Sequence, residues 1–310
     1  MHAMMIKKWA AWLGLISAGV AIVVLTAAVV RMALAQNSDL IESLGGQTRV
    51  DAEDPSHPVV AVRLVGREVD DRALSSLRDY PHLKRLYLPS TRVTSAGLAA
   101  LESLAELEDL DLGATQLSDE GMKYLRNLTG LQRLILSETN ITDAGLENLQ
   151  GLTELRELHL LNTRITDQGL RCLSNLTRLQ ILLLDWTDVT GTGTSNLERM
   201  TELERLSLAN TPLVDDGLSF LDKLQSLQHL HLNGTRVSDL GLVHVARLAN
   251  LVTVSLDRTA VSDSGLPLLQ PLSRLRHVRL VGSRCTAAGN DKFRKLMPRV
   301  VTILTEGVPD

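Results

Sequence analysis

The chain has 310 residues and a formal net charge of −4, and it is 44% hydrophobic but only 3% aromatic. Lys and Arg number 32 against 36 Asp and Glu. With no long block of one sign, that near-balance argues against a general polyanion or nucleic-acid binder. A core of Leu, Ile and Val with so few rings suits stacked similar layers better than one irregular globule.

The first element is apolar. Lys7 and Lys8 precede an uncharged run from Trp9 to Val30. At ~1.5 Å per residue, a helix over that run crosses a hydrocarbon layer of ~30 Å. Trp9 and Trp12 would sit at its first interface, and the lysines would keep the N-terminus in the cytoplasm. Residues 1–35 are therefore expected to send the rest of the chain out of the cytoplasm, in one of two ways. They form a single-pass anchor with residues 9–30 in the membrane, or a signal peptide cleaved near Ala35, where Ala33-Leu34-Ala35 offers a small-x-small site. The run exceeds the usual ~7–15 residues of a signal core, which favours the anchor. Residues 36–58 follow, polar and without a sustained period. With Gly45, Gly46, Pro55 and Pro58 they read as a linker, too short for a further domain.

From residue 59 to 304 the sequence repeats. Leu83, Leu107, Leu131, Leu155, Leu179, Leu203, Leu227, Leu251 and Leu275 stand 24 residues apart. Such a period signals a solenoid. Counted from each of these leucines, apolar residues recur at offsets 3, 5, 10, 15, 18 and 21, Thr or Ser at 8 and Gly at 14. Offsets 3 and 5 alternate as in a strand with one buried face. Offsets 15, 18 and 21 follow one helical stripe. Each unit is thus a short strand, a turn and a helix, and stacked units share one core.

The polar positions receive folding roles. Thr142 is placed at a helix N-cap and Asp143 in the first turn, where the helix dipole favours negative charge. Gly145 and its equivalents are expected where the helix start approaches the strand layer. The threonines at offset 8, from Thr91 to Thr259, are expected to form a ladder that satisfies backbone groups at the turn and on a neighbouring rung. Cys172 and Cys285 fall four or five rungs apart, roughly 20 Å at ~4.8 Å per strand, which is too far for a disulfide.

The stretch LQRLILSETNITDAGLENLQGL, residues 131–152, resembles a leucine-rich repeat, and its ITDxGLxxL half resembles the ribonuclease-inhibitor-like and cysteine-containing subclasses. The resemblance implies an α/β solenoid, curved, with a parallel sheet on the concave side and helices on the convex side. It also implies a different ladder, because Thr stands where the family usually has Asn or Cys. The ends are degenerate, as capping repeats are. Residues 59–82 replace the Thr by Arg67 and the Gly by Ala73, regular repeats run over 83–298, and residues 299–304 add a final strand. One interior copy, TDVTGTGTSNL at 187–197, lacks the Asp and puts Thr194 at a core offset, so a looser or shorter helix is expected there.

Offsets 2, 4 and 6 point away from the core and have no folding duty. In the middle of the array they carry Ile135, Leu161, Ile181 and Leu183, with Trp186 at the strand end. Clustered exposed apolar residues mark interfaces, and Trp is enriched at hot spots. Arg133, Glu157, Asp185 and Arg205 flank the patch as a polar rim. His229, His231 and His277 lack an obvious further ligand, so no metal site is expected. No phosphate loop, nucleophile elbow, HExxH or CxxC is present, so neither an enzyme nor a cofactor is expected. The sequence reads as a non-enzymatic module that binds a protein or peptide, with no nucleic acid. The alternative is a structural or adhesive envelope component that uses the repeats as a spacer.

Overall fold

The computed structural model describes residues 41–304. The apolar run Trp9–Val30 and the cleavage site at Ala35 lie outside the described residues. Among those described, no helix is long and apolar enough to cross a membrane.

Twelve strands of the described residues form one sheet in chain order. They are β1 Gln47–Val50, β2 Val59–Arg63, β3 Arg85–Tyr87, β4 Asp109–Asp111, β5 Arg133–Ile135, β6 Glu157–His159, β7 Ile181–Leu183, β8 Arg205–Ser207, β9 His229–His231, β10 Thr253–Ser255, β11 His277–Arg279 and β12 Val301–Ile303. From β2 onward every pairing is parallel, and from β3 to β11 each residue sits opposite its equivalent one repeat away, as in Arg85, Asp109 and Arg133. Offsets 3 and 5 point inward: Leu134, Leu136 and their equivalents are fully buried, with Leu146, Leu149 and Leu152 packed from the other side. Each such leucine removed from water contributes about 1.5–3 kcal/mol, shared along one continuous core.

The threonine ladder exists, but its bonds stay within each rung. Thr139 Oγ1 donates to the carbonyl of Leu136 at 2.6 Å, and Thr91, Thr115, Thr163, Thr187, Thr211, Thr235 and Thr259 repeat that bond. A hydroxyl is short and has one proton, so it closes its own turn and does not reach the neighbour as expected.

Rungs are tied instead by the aspartates at offset 12. Asp119 accepts from Thr142 N at 2.8 Å and Thr142 Oγ1 at 2.6 Å on the next rung. Asp71, Asp143, Asp167, Asp215, Asp239 and Asp263 bond Thr94, Thr166, Thr190, Ser238, Ser262 and Thr286 in the same way. Thr142 is also an N-cap, accepting from Ala144 N at 3.3 Å. One hydroxyl thus links two rungs and starts a helical turn.

This corrects the role expected of the glycines. A Cβ on Gly145 would lie 2.5 Å from Asp119 Oδ1 and 3.1 Å from Met122 Cγ. The residue is small to admit the preceding rung's carboxylate, not to let the strand layer come close. At rung 179 the ladder is interrupted, with Gly191 in the Asp position and Val214 in the Ser/Thr position of the next rung. Gly191, at φ +114°, packs against Gly217. Buried Thr194 Oγ1 lies 2.8 Å from the carbonyl of Gly191 and 2.8 Å from that of Gly217, which share its one proton. The helical piece there is a four-residue 3₁₀ turn, Thr194–Leu197, as short as expected.

The outer layer is less helical than the stripe implied. Among the described residues four repeats hold a four-residue α turn, which in two of them runs into a 3₁₀ turn, as Asp143–Leu146 does into Glu147–Leu149, and four others carry 3₁₀ helix alone. Only the terminal copies carry longer α-helices, Asp71–Ser76 and Ala287–Leu296. Apolar offsets stepping by three are the native period of the 3₁₀ form, and a 24-residue repeat leaves no room for more.

The stretch 36–58 is not wholly a linker. Gln47–Val50 pairs antiparallel with β2, and Ile41 is buried. Together they cover the apolar edge that the first rung would otherwise expose. All four residues of β1 are exposed, so no alternation announced it. Both cysteines are free, Cys172 buried and Cys285 partly so.

Candidate partner-binding face

Side chains at offsets 2 and 4 line the open face of the sheet. Registers place Ile181 beside Glu157 and Leu183 beside His159, and His159 beside Ile135. Ile135, Ile181 and Leu183 therefore share a face, each partly buried, but His159 stands between Ile135 and Leu183. Burial lowers the His159 pKa, outweighing the opposing pull of Glu157. Its Nε2 lies 2.7 Å from Glu157 Oε1, but outside hydrogen-bonding alignment.

The expected rim is only partly available. Arg133 is held between Asp109 Oδ1 and Glu157 Oε1, each at 3.1 Å. Tyr87 OH donates to the other oxygen of Asp109 at 2.6 Å, and burial with that bond raises the phenol pKa to about 12. Arg133 and Glu157 thus belong to a chain of contacts over β3–β6. Asp185 accepts from Ser207 Oγ and from Ala209 N, which brackets the ends of two strands. Of the four rim residues, Arg205 alone is exposed and has no carboxylate within ion-pair distance among the described residues. Charge pairing of this kind needs neighbours one repeat away, so the sequence shows Asp109 and Asp111 on one strand face but not the contacts of Asp109 with Tyr87 and Arg133.

Trp186 is 63% exposed and sits at φ +58°. The left-handed turn recurs at its column, through Ser90, Ala114, Glu138, Asn162, Asn210, Gly234, Arg258 and Gly282. Trp is the bulkiest occupant and gains little burial there. Such a conformation costs a branched or bulky residue about 1–3 kcal/mol. The ring borders a groove of about 400 Å³ lined by Glu138, Asn140, Asn162, Arg164 and Asp188 among others. Trp186→Gly should therefore leave stability unchanged or raise it by up to about 1 kcal/mol. A lower midpoint in urea would show instead that the ring supports the fold.

Among the described residues no three His, Cys, Asp or Glu side chains converge as metal ligands. His229 and His231 share a face of β9, flanked by Ser207 and Ser255.

The model of the leucine-rich repeat region matches residues 59–305. No curated protein matches the sequence. Among solved structures, an internalin C2 from Listeria monocytogenes is 24% identical, over 64% of this chain and 80% of that one, with a TM-score of 0.52. A leucine-rich-repeat protein of Leptospira interrogans is 18% identical, over 74% of this chain and 68% of that one, with a TM-score of 0.54. A TDR receptor is 16% identical, over 79% of this chain and 47% of that one, with a TM-score of 0.55. At these identities the likeness is one of fold, and the family match spans most of the sequence. The chain belongs to the leucine-rich repeat family.

Proposed function

We propose that the repeat domain is a non-enzymatic module that binds a protein or peptide on the open face of its sheet, around Leu161, Ile181, Leu183 and Trp186. The observation that carries this reading is Trp186, exposed and held in a left-handed conformation in the turn that follows the strand of Ile181 and Leu183. A residue that costs the fold energy and returns no packing is retained for another contact. Arg205 forms the accessible rim, and Arg133 and Glu157 hold the adjoining face in shape. The module stands outside the cytoplasm, anchored by residues 9–30, on the strength of the Lys7–Lys8 flank and the length of the apolar run. The ITDxGL half of each repeat supports the ribonuclease-inhibitor-like or cysteine-containing subclass.

The test is a crosslinking pull-down from native membranes. The full chain serves as bait beside a Leu183→Asp, Trp186→Ala variant. A partner captured by the wild type should be lost in the variant, with thermal stability within about 0.5 kcal/mol, as for surface changes. Equal recovery by both would sink the binding-face reading and favour the spacer.

A further inference from the structure

The open face is not uniform in charge. On the N-terminal side of Leu183 the face is rich in carboxylates: Asp109 holds Tyr87 and Arg133, Glu157 holds Arg133, and Asp111 accepts from Gly113 N at 2.9 Å. On the C-terminal side the sign changes. Arg205 on β8, His229 and His231 on β9 and His277 on β11 have no carboxylate within ion-pair distance among the described residues. Of the acids nearby, Glu204 acts on His229 from beyond ion-pair distance, and the other two are occupied. Asp185 takes Ser207 Oγ and Ala209 N, and Asp257 takes Arg279 Nε at 2.7 Å and Val281 N at 2.8 Å. An unmatched cationic and imidazole surface thus begins one strand from the apolar patch.

We infer that the partner presents an acidic segment, an aliphatic or aromatic side chain seated on Leu183 and Trp186 with carboxylates beyond it over Arg205, His229 and His231. This rests on the binding-face reading above and names the chemistry of its ligand. The strands are ~4.8 Å apart, so Leu183 to the imidazoles spans about 10 Å, or three extended residues. The carboxylates therefore fall within about three positions of the apolar anchor. Opposite charge steers encounter and fixes orientation, while the apolar anchor supplies the desolvated centre.

The imidazoles make the contact sensitive to acid. Burial lowers both histidine pKa values and Arg205 adds to this, against weaker opposing pulls from Glu204 on His229 and Asp185 on His231. On the other side His231 faces Ser255 and Arg279, and His229 faces Thr253 with His277 beyond. Both are thus neutral near pH ~7 in the free protein. A ligand carboxylate favours the charged form, so binding takes up protons and tightens as the pH falls.

The experiment pans a random peptide library on the full chain in detergent, with Arg205→Glu, His229→Gln/His231→Gln and Leu183→Asp/Trp186→Ala variants in parallel. Peptides enriched on the wild type should carry an apolar residue with at least two Asp or Glu within about three positions. Arg205→Glu should weaken a lead peptide at least about tenfold. Moving from about pH 7.5 to about pH 5.5 should tighten it roughly fivefold, an effect absent in the double histidine variant. Neutral or basic enriched sequences, or indifference to Arg205→Glu, overturn the inference. If such sequences still need Leu183 and Trp186, the binding face stands and only its acidic ligand falls. If no peptide depends on those two residues, both readings fall.

Discussion

Replacing Gly145 with leucine should destabilise the array by about 3 kcal/mol or more. The first added carbon would already lie 2.5 Å from Asp119 Oδ1 and 3.1 Å from Met122 Cγ, and both neighbours are confined. If the carboxylate yields, Thr142 N and Thr142 Oγ1 lose their acceptor, and the α turn starting at Asp143 loses the hydroxyl orientation that caps it. Overpacking and lost hydrogen bonds therefore add. The measurement is the urea midpoint at unchanged slope, with Gly151→Leu as control, since a Cβ there would meet nothing nearer than the Arg126 carbonyl at 4.0 Å. Asp119→Ala should make Gly145→Ala less costly than it is alone, because the clash is between those two positions. A neutral Gly145→Leu would remove the carboxylate as the reason for the glycine column.

The second large effect is expected at Asp167. It is the most heavily bonded member of its ladder, accepting from Thr190 N at 2.9 Å, Thr190 Oγ1 at 2.6 Å, Gly191 N at 3.0 Å and Gly193 N at 2.8 Å. It also leads into the rung where the ladder is interrupted before it resumes at Asp215. Asp167→Ala should cost about 2 kcal/mol, less than four fully buried bonds because the site is partly open to water. Burial raises the Asp167 pKa, but the bonds from Thr190 and the two glycine amides outweigh it and hold the carboxyl below its ordinary value. The folded pKa is thus depressed relative to the unfolded chain. Its contribution is present above the unfolded pKa of ~3.9 and fades as the pH falls through the folded value. Asp167→Asn should accordingly show a shallower loss of stability below about pH 4 than the wild type. Parallel acid limbs would mean that Asp167 is not ionised in these bonds.

Much of this architecture was legible because a repeat states its rule many times. Leu134 and Leu136 alternate, Leu146, Leu149 and Leu152 step by three, and the leucine register never slips from Leu83 to Leu275. The same step of three marks a helical stripe but does not by itself separate an α turn from a 3₁₀ turn, whose own period is three. The ladder break was visible as well: Gly191 stands where Asp recurs, and Val214 where Ser or Thr recurs on the next rung. What those columns bond was less accessible. Thr139, Asp119 and Gly145 each admit several roles when taken one at a time. Their true partners lie either three residues away on the same rung or on the next one.

The site divides in the same manner. That Ile181 and Leu183 face outward followed from the strand period, whereas Trp186 lies in the turn beyond β7. That Arg133 is held by Asp109 and Glu157, that Asp185 is engaged with Ser207, and that His159 stands between Ile135 and Leu183 required the parallel register of β4–β8. The left-handed turn at Trp186 was hinted at by Asn162, Asn210, Gly234 and Gly282 in the same column. The sequence by itself determined the solenoid, its register and which side chains leave the core, because hydrophobic periodicity is a local property repeated along the chain. The tertiary structure alone decided which of those exposed residues remain unpaired, because ion pairing and capping depend on atoms 24 residues apart that stacking brings within about 3 Å.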